Sequence, residues 1–183
     1  MTHSTISSRK LDHIQLAFEA QLSEVDHRFY YEPMLAAHPT LDVIPKVEVA
    51  GAEMLAPLWI SSMTGGAELA GKINVLLAEA CKNHGLGMGL GSCRPVLENS
   101  AYSKDFEIRK HMGNQPLFAN LGIAQIEELL ALNQMQRLID MVNRLEAHGL
   151  IIHVNPLQEW MQPEGDRFAL SPLETIQRVL DAV

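Results

Sequence analysis

From Pro57 onward, short apolar runs alternate with stretches whose apolar residues recur at helical spacing. Leu58-Trp59-Ile60-Ser61 reads as a strand, and Ser62-Met63-Thr64-Gly65-Gly66 as a loop of small residues. Leu69, Ile73, Leu76, Leu77 and Ala80 then fall on one helical face, closed by His84-Gly85. The next run, Gly85 to Gly91, has glycine at alternate positions. This predicts a strand with one smooth face, against which a ligand or another backbone lies. Ser92, Cys93 and Arg94 follow at its end, and Tyr102 to Met112 reads as a charged helix. Pro116 to Ala119 is a third strand, closed by Asn120-Leu121-Gly122 as a turn. Helical spacing resumes at Ile126, with Leu138, Met141, Val142 and Leu145 on its apolar face and Gly149 as its cap. Ile151-Ile152-His153-Val154 is a fourth strand, stopped by Asn155-Pro156, with Gln158 and Glu159 in the loop beyond. Ser171-Pro172-Leu173-Glu174 is a capping box with Pro at the first helical position, and it opens a last helix.

Ahead of this region the pattern differs. Residues 1–8 are rich in Ser and Thr, and Arg9-Lys10 with His13 offers two adjacent cations, suited either to a polyanion or to a solvated basic arm. Pro33, Pro39 and Pro45 with Tyr30-Tyr31 suggest a short helix and then extended chain. Lys46 to Val49, Gly51 and Glu53 to Leu55 form a plausible hairpin. The expected division is therefore an arm, short helix and hairpin over 1–56, and an α/β region over 57–183.

Four strand–helix units imply a parallel sheet with right-handed crossovers. Polar or small residues follow every strand: Ser62, Met63 and Thr64; Ser92 to Arg94; Asn120; and His153 to Glu159. A doubly wound sheet gathers its functional groups at one switch point, whereas a (β/α) barrel draws on every strand end. The pattern favours a TIM-type barrel, of which four units are the N-terminal half. A lone half barrel exposes two sheet edges and apolar interior, so association with another chain, such as a homo-oligomer, is expected.

The formal net charge of -8 argues against nucleic-acid or anionic-membrane partners, but it leaves a small phosphate possible. Cys81 and Cys93 form no CxxC, and the eight histidines show no HExxH spacing. Met1 to Arg9 has no apolar signal core, no apolar run reaches the length of a membrane span, and a cytoplasmic protein is the expectation. The alternating glycines do not make a dinucleotide fingerprint, because GxGxxG would need Gly where Leu90 or Ser92 stands. Arg94 can fork onto a phosphate or form a surface salt bridge. Asn120 can meet the edge of a heteroaromatic ring or serve a turn. His153, Asn155, Gln158 and Glu159 converge at a strand end, where ligands bind in parallel α/β proteins.

Taken together and in order, these segments resemble the flavin-dependent type 2 isopentenyl diphosphate isomerase family. Those that carry the resemblance are Arg9-Lys10 with His13, Ser61 to Gly66, Gly89 to Ser92 with Arg94-Pro95, Asn120-Leu121-Gly122, His153 to Glu159, and Gln162-Pro163-Glu164-Gly165-Asp166. The resemblance implies interconversion of isopentenyl and dimethylallyl diphosphate with reduced FMN, NADPH as reductant and Mg2+. It implies that Arg9 and Lys10, near His13, hold the diphosphate with Ser92 and Arg94. Ser62, Met63, Thr64, Ser92 and Asn120 would line FMN. His153 and Asn155 would stand near substrate, Gln158 would touch it, and Glu159 would bind Mg2+. Family members run to roughly twice this length, so a truncated form with little activity of its own is the expectation. Two rival readings are a non-catalytic, self-associating half barrel and another FMN-dependent barrel oxidoreductase, such as a hydroxy-acid oxidase.

Overall fold

In the computed structural model, the residues described are 44–62, 68–161, 163 and 165–182, together with Met34 and Ala37. Arg9, Lys10, His13, Met63 and Thr64 lie outside them. Every element below belongs to the compact unit Asp42–Val183. Val47–Val49 (β1) and Ala52–Met54 (β2) pair antiparallel, with Val47 opposite Met54. Both turn residues have positive φ, 52° at Ala50 and 75° at Gly51, as a type I′ hairpin requires. Ala50 is exposed and takes a left-handed conformation that an L side chain disfavours. Ala50→Asn, giving Asn-Gly, is expected to stabilise the fold by about 0.5–1 kcal/mol, read as a shifted urea midpoint at unchanged m-value.

The hairpin leads into the main sheet. The Leu55 N–H donates to the Gly85 carbonyl at 2.8 Å, and a Cβ on Gly85 would overlap Leu55. The elements that follow are Trp59–Ile60 (β3), Glu68–His84 (α1), Gly87–Gly89 (β4), Arg94–Glu98 (α2), a 3₁₀ helix at Ser100–Asp105, and Arg109–Met112 (α3). After them come Leu117–Gly122 (β5), Ile123–Ala131 (α4), Met135–Arg144 (α5), Gly149–His153 (β6), Pro156–Met161 (α6) and Pro172–Ala182 (α7). Strands β3-β4-β5-β6 form one parallel sheet whose spatial order is the chain order. A doubly wound sheet would reverse that order at a switch point. Unreversed order is what successive units of a (β/α) barrel give, and the four strands form an open sheet compatible with part of one.

Strand alternation divides the sheet into two faces. Ile60, Met88, Leu117, Ala119, Leu121, Leu150 and Ile152 turn towards the helices and belong to the core or pack against it. Trp59, Gly87, Gly89, Phe118, Asn120, Gly122, Gly149, Ile151 and His153 share the other face, because the register pairs Trp59 with Gly87, Gly89 with Phe118, Asn120 with Ile151 and Gly122 with His153. On the glycine-smoothed face of β4, Gly87 meets a side chain and Gly89 lies against Ser62 and Ile151. The Trp59 indole lies on Gly87, close enough to overlap any Cβ there, and it meets the Phe118 ring edge-on at 5.4 Å.

Several expected boundaries shift. The charged helix over 102–112 is instead a 3₁₀ turn and a short helix, because Phe106 and Ile108 both turn inward and are fully buried, a spacing of two that no α-helix satisfies. Asn120-Leu121-Gly122 is not a turn, since the strand runs to Gly122 with Asn120 paired to Ile151. Gly149 opens β6 rather than capping a helix, and Glu146 takes the left-handed conformation, φ 49°. β6 ends at His153, and its residues are half-buried rather than buried, because it is an edge strand. The polar segment after Asn155 is not a loop: Pro156 starts α6, with Gln158 and Glu159 in its body. Half of the expected capping box is recorded, the Glu174 N–H donating to Ser171 Oγ at 3.2 Å, while the Glu174 carboxylate accepts from Arg178 Nη2 at 2.7 Å.

Candidate functional site at the carboxyl ends of the strands

The carboxyl ends of β3 to β6 border an open recess of about 550 Å3. β3 contributes Trp59 and, just beyond it, Ser61 and Ser62; the segment after β4 contributes Ser92; and β5 contributes Asn120. β6 and α6 contribute Ile151, His153, Asn155 and Gln158. The volume lies within the usual range for small-molecule sites, and the lining combines an apolar wall, Trp59 and Ile151, with neutral polar groups. Gly89 makes room for it: a Cβ there would meet Ser62 Oγ at 2.6 Å and Ile151 Cδ1 at 2.7 Å.

One polar pair, half of it buried, stands in the recess wall. Asn120, 4% exposed, accepts at Oδ1 from His153 Nδ1 at 2.7 Å. That direction requires the proton on Nδ1, which leaves Nε2 of the neutral ring as a lone-pair acceptor. Burial holds the His153 imidazole below its ordinary pKa, and the Glu159 carboxylate opposes that shift. Gly122 gives the ring its space, since a Cβ there would press on Nε2 at 2.9 Å.

Glu159 stands behind the rim. Its Oε1 accepts from Asn155 Nδ2 at 2.9 Å and its Oε2 from the Asp166 backbone N–H at 2.8 Å. The first is local, because residues four apart stack on one helical turn. A carboxylate has about four lone-pair sites, so both oxygens retain capacity for a cation. Among the described residues no group of three or more His, Cys, Asp or Glu could hold a metal unaided. A cation on Glu159 therefore needs oxygens from a ligand, the arrangement typical of Mg2+ with phosphates.

Arg94 stands apart from the recess lining. It donates to Glu98 Oε1 at 2.8 Å and Asp166 Oδ2 at 2.7 Å, and Glu98 first, with Asp166, holds the guanidinium above its ordinary pKa against the effect of burial. Cys93, next to Ser92, is buried, and its thiol is pushed up to about 11, so it offers no thiolate nucleophile at neutral pH. The structure thus gathers Ser62, Ser92, Asn120, His153, Asn155 and Gln158 around one recess, with Glu159 behind it. Sequence reasoning gave no role to Trp59, Ile151 or Asp166. Period-two counting back from His153 would have found Ile151. No helix among the described residues is long and apolar enough to cross a membrane.

No protein-family model matches the chain. It is similar to proteins named isopentenyl-diphosphate delta-isomerase. The one from Cronobacter sakazakii is 40% identical over 190 residues, covering 100% of this chain and 54% of the relative. The one from Nostoc sp. is 41% identical over 165 residues, 87% of this chain and 46% of the relative. The one from Ignicoccus hospitalis is 35% identical over 187 residues, 97% of this chain and 50% of the relative. The chain spans about half the length of these curated relatives, and its recess, Asn120–His153 pair and braced Glu159 all lie within the stretch it has in common with the isopentenyl-diphosphate delta-isomerase of Cronobacter sakazakii.

Proposed function

We propose that this chain forms the amino-terminal part of a flavin-dependent, type 2 isopentenyl-diphosphate delta-isomerase, which interconverts isopentenyl and dimethylallyl diphosphate with reduced FMN, NADPH as reductant and Mg2+. The observation that carries the reading is the recess, where four successive strand ends supply uncharged polar groups beside an apolar wall. Such a lining suits a flat heteroaromatic ring with an isoprenoid chain against it. Ser62, Ser92 and Asn120 would hold FMN, together with Met63 and Thr64. Reduced flavin, when bound, would supply the acid–base chemistry that moves a proton on and off an unactivated alkene. The chain's own residues orient and shield. His153 keeps its proton on Nδ1 through Asn120 and presents Nε2 as an acceptor. Asn155 and Gln158 border the substrate space, and Trp59 and Ile151 form its apolar wall. Glu159 would hold Mg2+ jointly with the diphosphate, whose remaining charge falls to Arg9 and Lys10, with His13 beside them. Arg94 would join them through the donors it does not spend on Glu98 and Asp166.

Saturable FMN binding by the 183-residue chain, followed by flavin fluorescence, is the expected result; no binding would remove the flavin reading. Trp59, at 36% exposure, and the half-buried Phe118 and Ile151 leave the recess face of the sheet open. Turnover by the chain alone is therefore expected to be small, and the face is proposed to be covered by self-association, which sedimentation velocity will detect. In a complete enzyme, Glu159→Gln is expected to cut Mg2+-dependent turnover by about a hundredfold or more, with FMN affinity unchanged. Full turnover in that variant would dismiss the metal role.

A further inference from the structure

We propose that Asp166 is a positioning residue for Glu159: its carboxylate, gripped by Arg94 and Gln125, fixes the segment 165–167, which braces α6 and aims the Glu159 carboxylate. The proposal rests on the reading of Glu159 as the metal-binding carboxylate, although its geometry stands without a metal.

The problem it solves is visible in α6. None of that helix's residues is buried, and Leu157, Trp160 and Met161 are 70%, 70% and 75% exposed. Core packing therefore does not set the helix in place, and six residues are too few to hold a helix by themselves. The returning chain does so instead. The Gly165 backbone lies so close to α6 that a Cβ would overlap the Glu159 carbonyl. The Asp166 N–H donates to Glu159 Oε2 at 2.8 Å. Arg167 reaches the carbonyls of Glu159 and Trp160 at 3.3 and 3.4 Å, with its guanidinium 4.4 Å from the Trp160 ring centroid. A cation at the carboxyl end of a helix also suits the helix dipole.

That brace needs its own anchor. Asp166 Oδ2 accepts from Arg94 Nη1 at 2.7 Å and from Gln125 Nε2 at 2.5 Å. Arg94 stands at the start of α2 and Gln125 in the first turn of α4, so the carboxylate ties the brace to the two units that precede β6. A second tie lies downstream, where Glu127 accepts from the Ala169 and Leu170 N–H groups at 2.7 and 3.2 Å. Loss of the Asp166 carboxylate therefore leaves the segment attached and the fold intact, but frees the N–H that orients Glu159.

The test uses the 15N-labelled 183-residue chain. The Asp166 amide and the Asn155 side-chain amide report the two hydrogen bonds to Glu159. Asp166→Ala is expected to speed exchange of the Asp166-site amide about tenfold or more and to shift the Asn155 side-chain signals. Asp166→Asn keeps an oxygen that can accept from Arg94 and Gln125, and is expected to restore both. Gly165→Ala, which pushes the brace off α6 without touching the carboxylate, is expected to reproduce the Asp166→Ala spectrum. Unchanged amide signals in Asp166→Ala would overturn the proposal. In a second arm, Mn2+ with inorganic pyrophosphate is titrated and paramagnetic broadening at 153–159 is followed. Asp166→Ala is expected to need about tenfold more Mn2+, while FMN binding stays at the parent value. If the amide signals change as expected but Glu159→Gln broadens like the parent, the clamp stands and the metal reading of Glu159 is what fails.

Discussion

Phe106→Ala is expected to cost about 3–5 kcal/mol of folding free energy, the usual range for deleting a fully buried aromatic side chain. Phe106 has no exposed surface and belongs to the core cluster with Ile108, Met112, Ala78 and Cys81. It sits between the 3₁₀ turn and α3, a stretch too short in regular structure to hold itself, so its burial keeps that crossover against α1. In a unit of this size each kcal/mol moves the melting temperature by roughly 2–4 °C, so a fall of about 10 °C should accompany the loss. Urea unfolding at constant m-value gives the direct measurement, and a change below about 1 kcal/mol would show that this crossover is not packed as described.

Asn120→Asp is expected to raise the pKa of His153, the effect of a carboxylate at hydrogen-bond distance. The present partner is neutral, 2.7 Å from Nδ1, and burial holds the imidazole below its ordinary value. The sign of the linked stability reverses with the substitution. In the parent chain the folded pKa lies below the unfolded one. The contribution of His153 is then complete above about pH 6.5 and is lost as pH falls through the window beneath it. In Asn120→Asp the folded pKa lies above the unfolded one. Its contribution is then complete below about pH 6.5 and fades as pH rises through the folded pKa. An NMR titration of the His153 ring nitrogens reads the first effect, and urea midpoints between pH 5 and 8 read the second, with the Glu159 charge common to both. An unmoved His153 titration would mean that the two side chains do not touch.

The parallel sheet was legible because its strands are apolar runs set off by Gly and Pro, and alternation with helical spacing fixes which pairings are possible. Residues close together in sequence and site were legible too: Asn155 and Glu159 declare their contact by a spacing of four. Asn120 was misread because its turn chemistry is local, whereas its place mid-strand is settled by backbone pairing, including the Cys93 N–H donating to the Asn120 carbonyl at 2.7 Å. Asn155-Pro156 signalled the end of a strand correctly but concealed the start of a helix, because proline serves both. The Arg94–Asp166 pair spans 72 residues and leaves no trace in local pattern. Asp166 was part of a recognisable segment, but its partners belong to the tertiary structure.

The Trp59 ring occupies the volume that a side chain at Gly87 would take, directly across the β3–β4 register. Space there is a property of the pair and of neither residue singly. Gly87→Ala should be harmful beside Trp59 and far better tolerated beside a leucine, while Trp59→Leu should open a hollow that Gly87→Ala partly refills. The two positions should therefore drift together through evolutionary time, a coupled exchange of bulk across one strand pair that would be recorded as covariation long after either residue had changed.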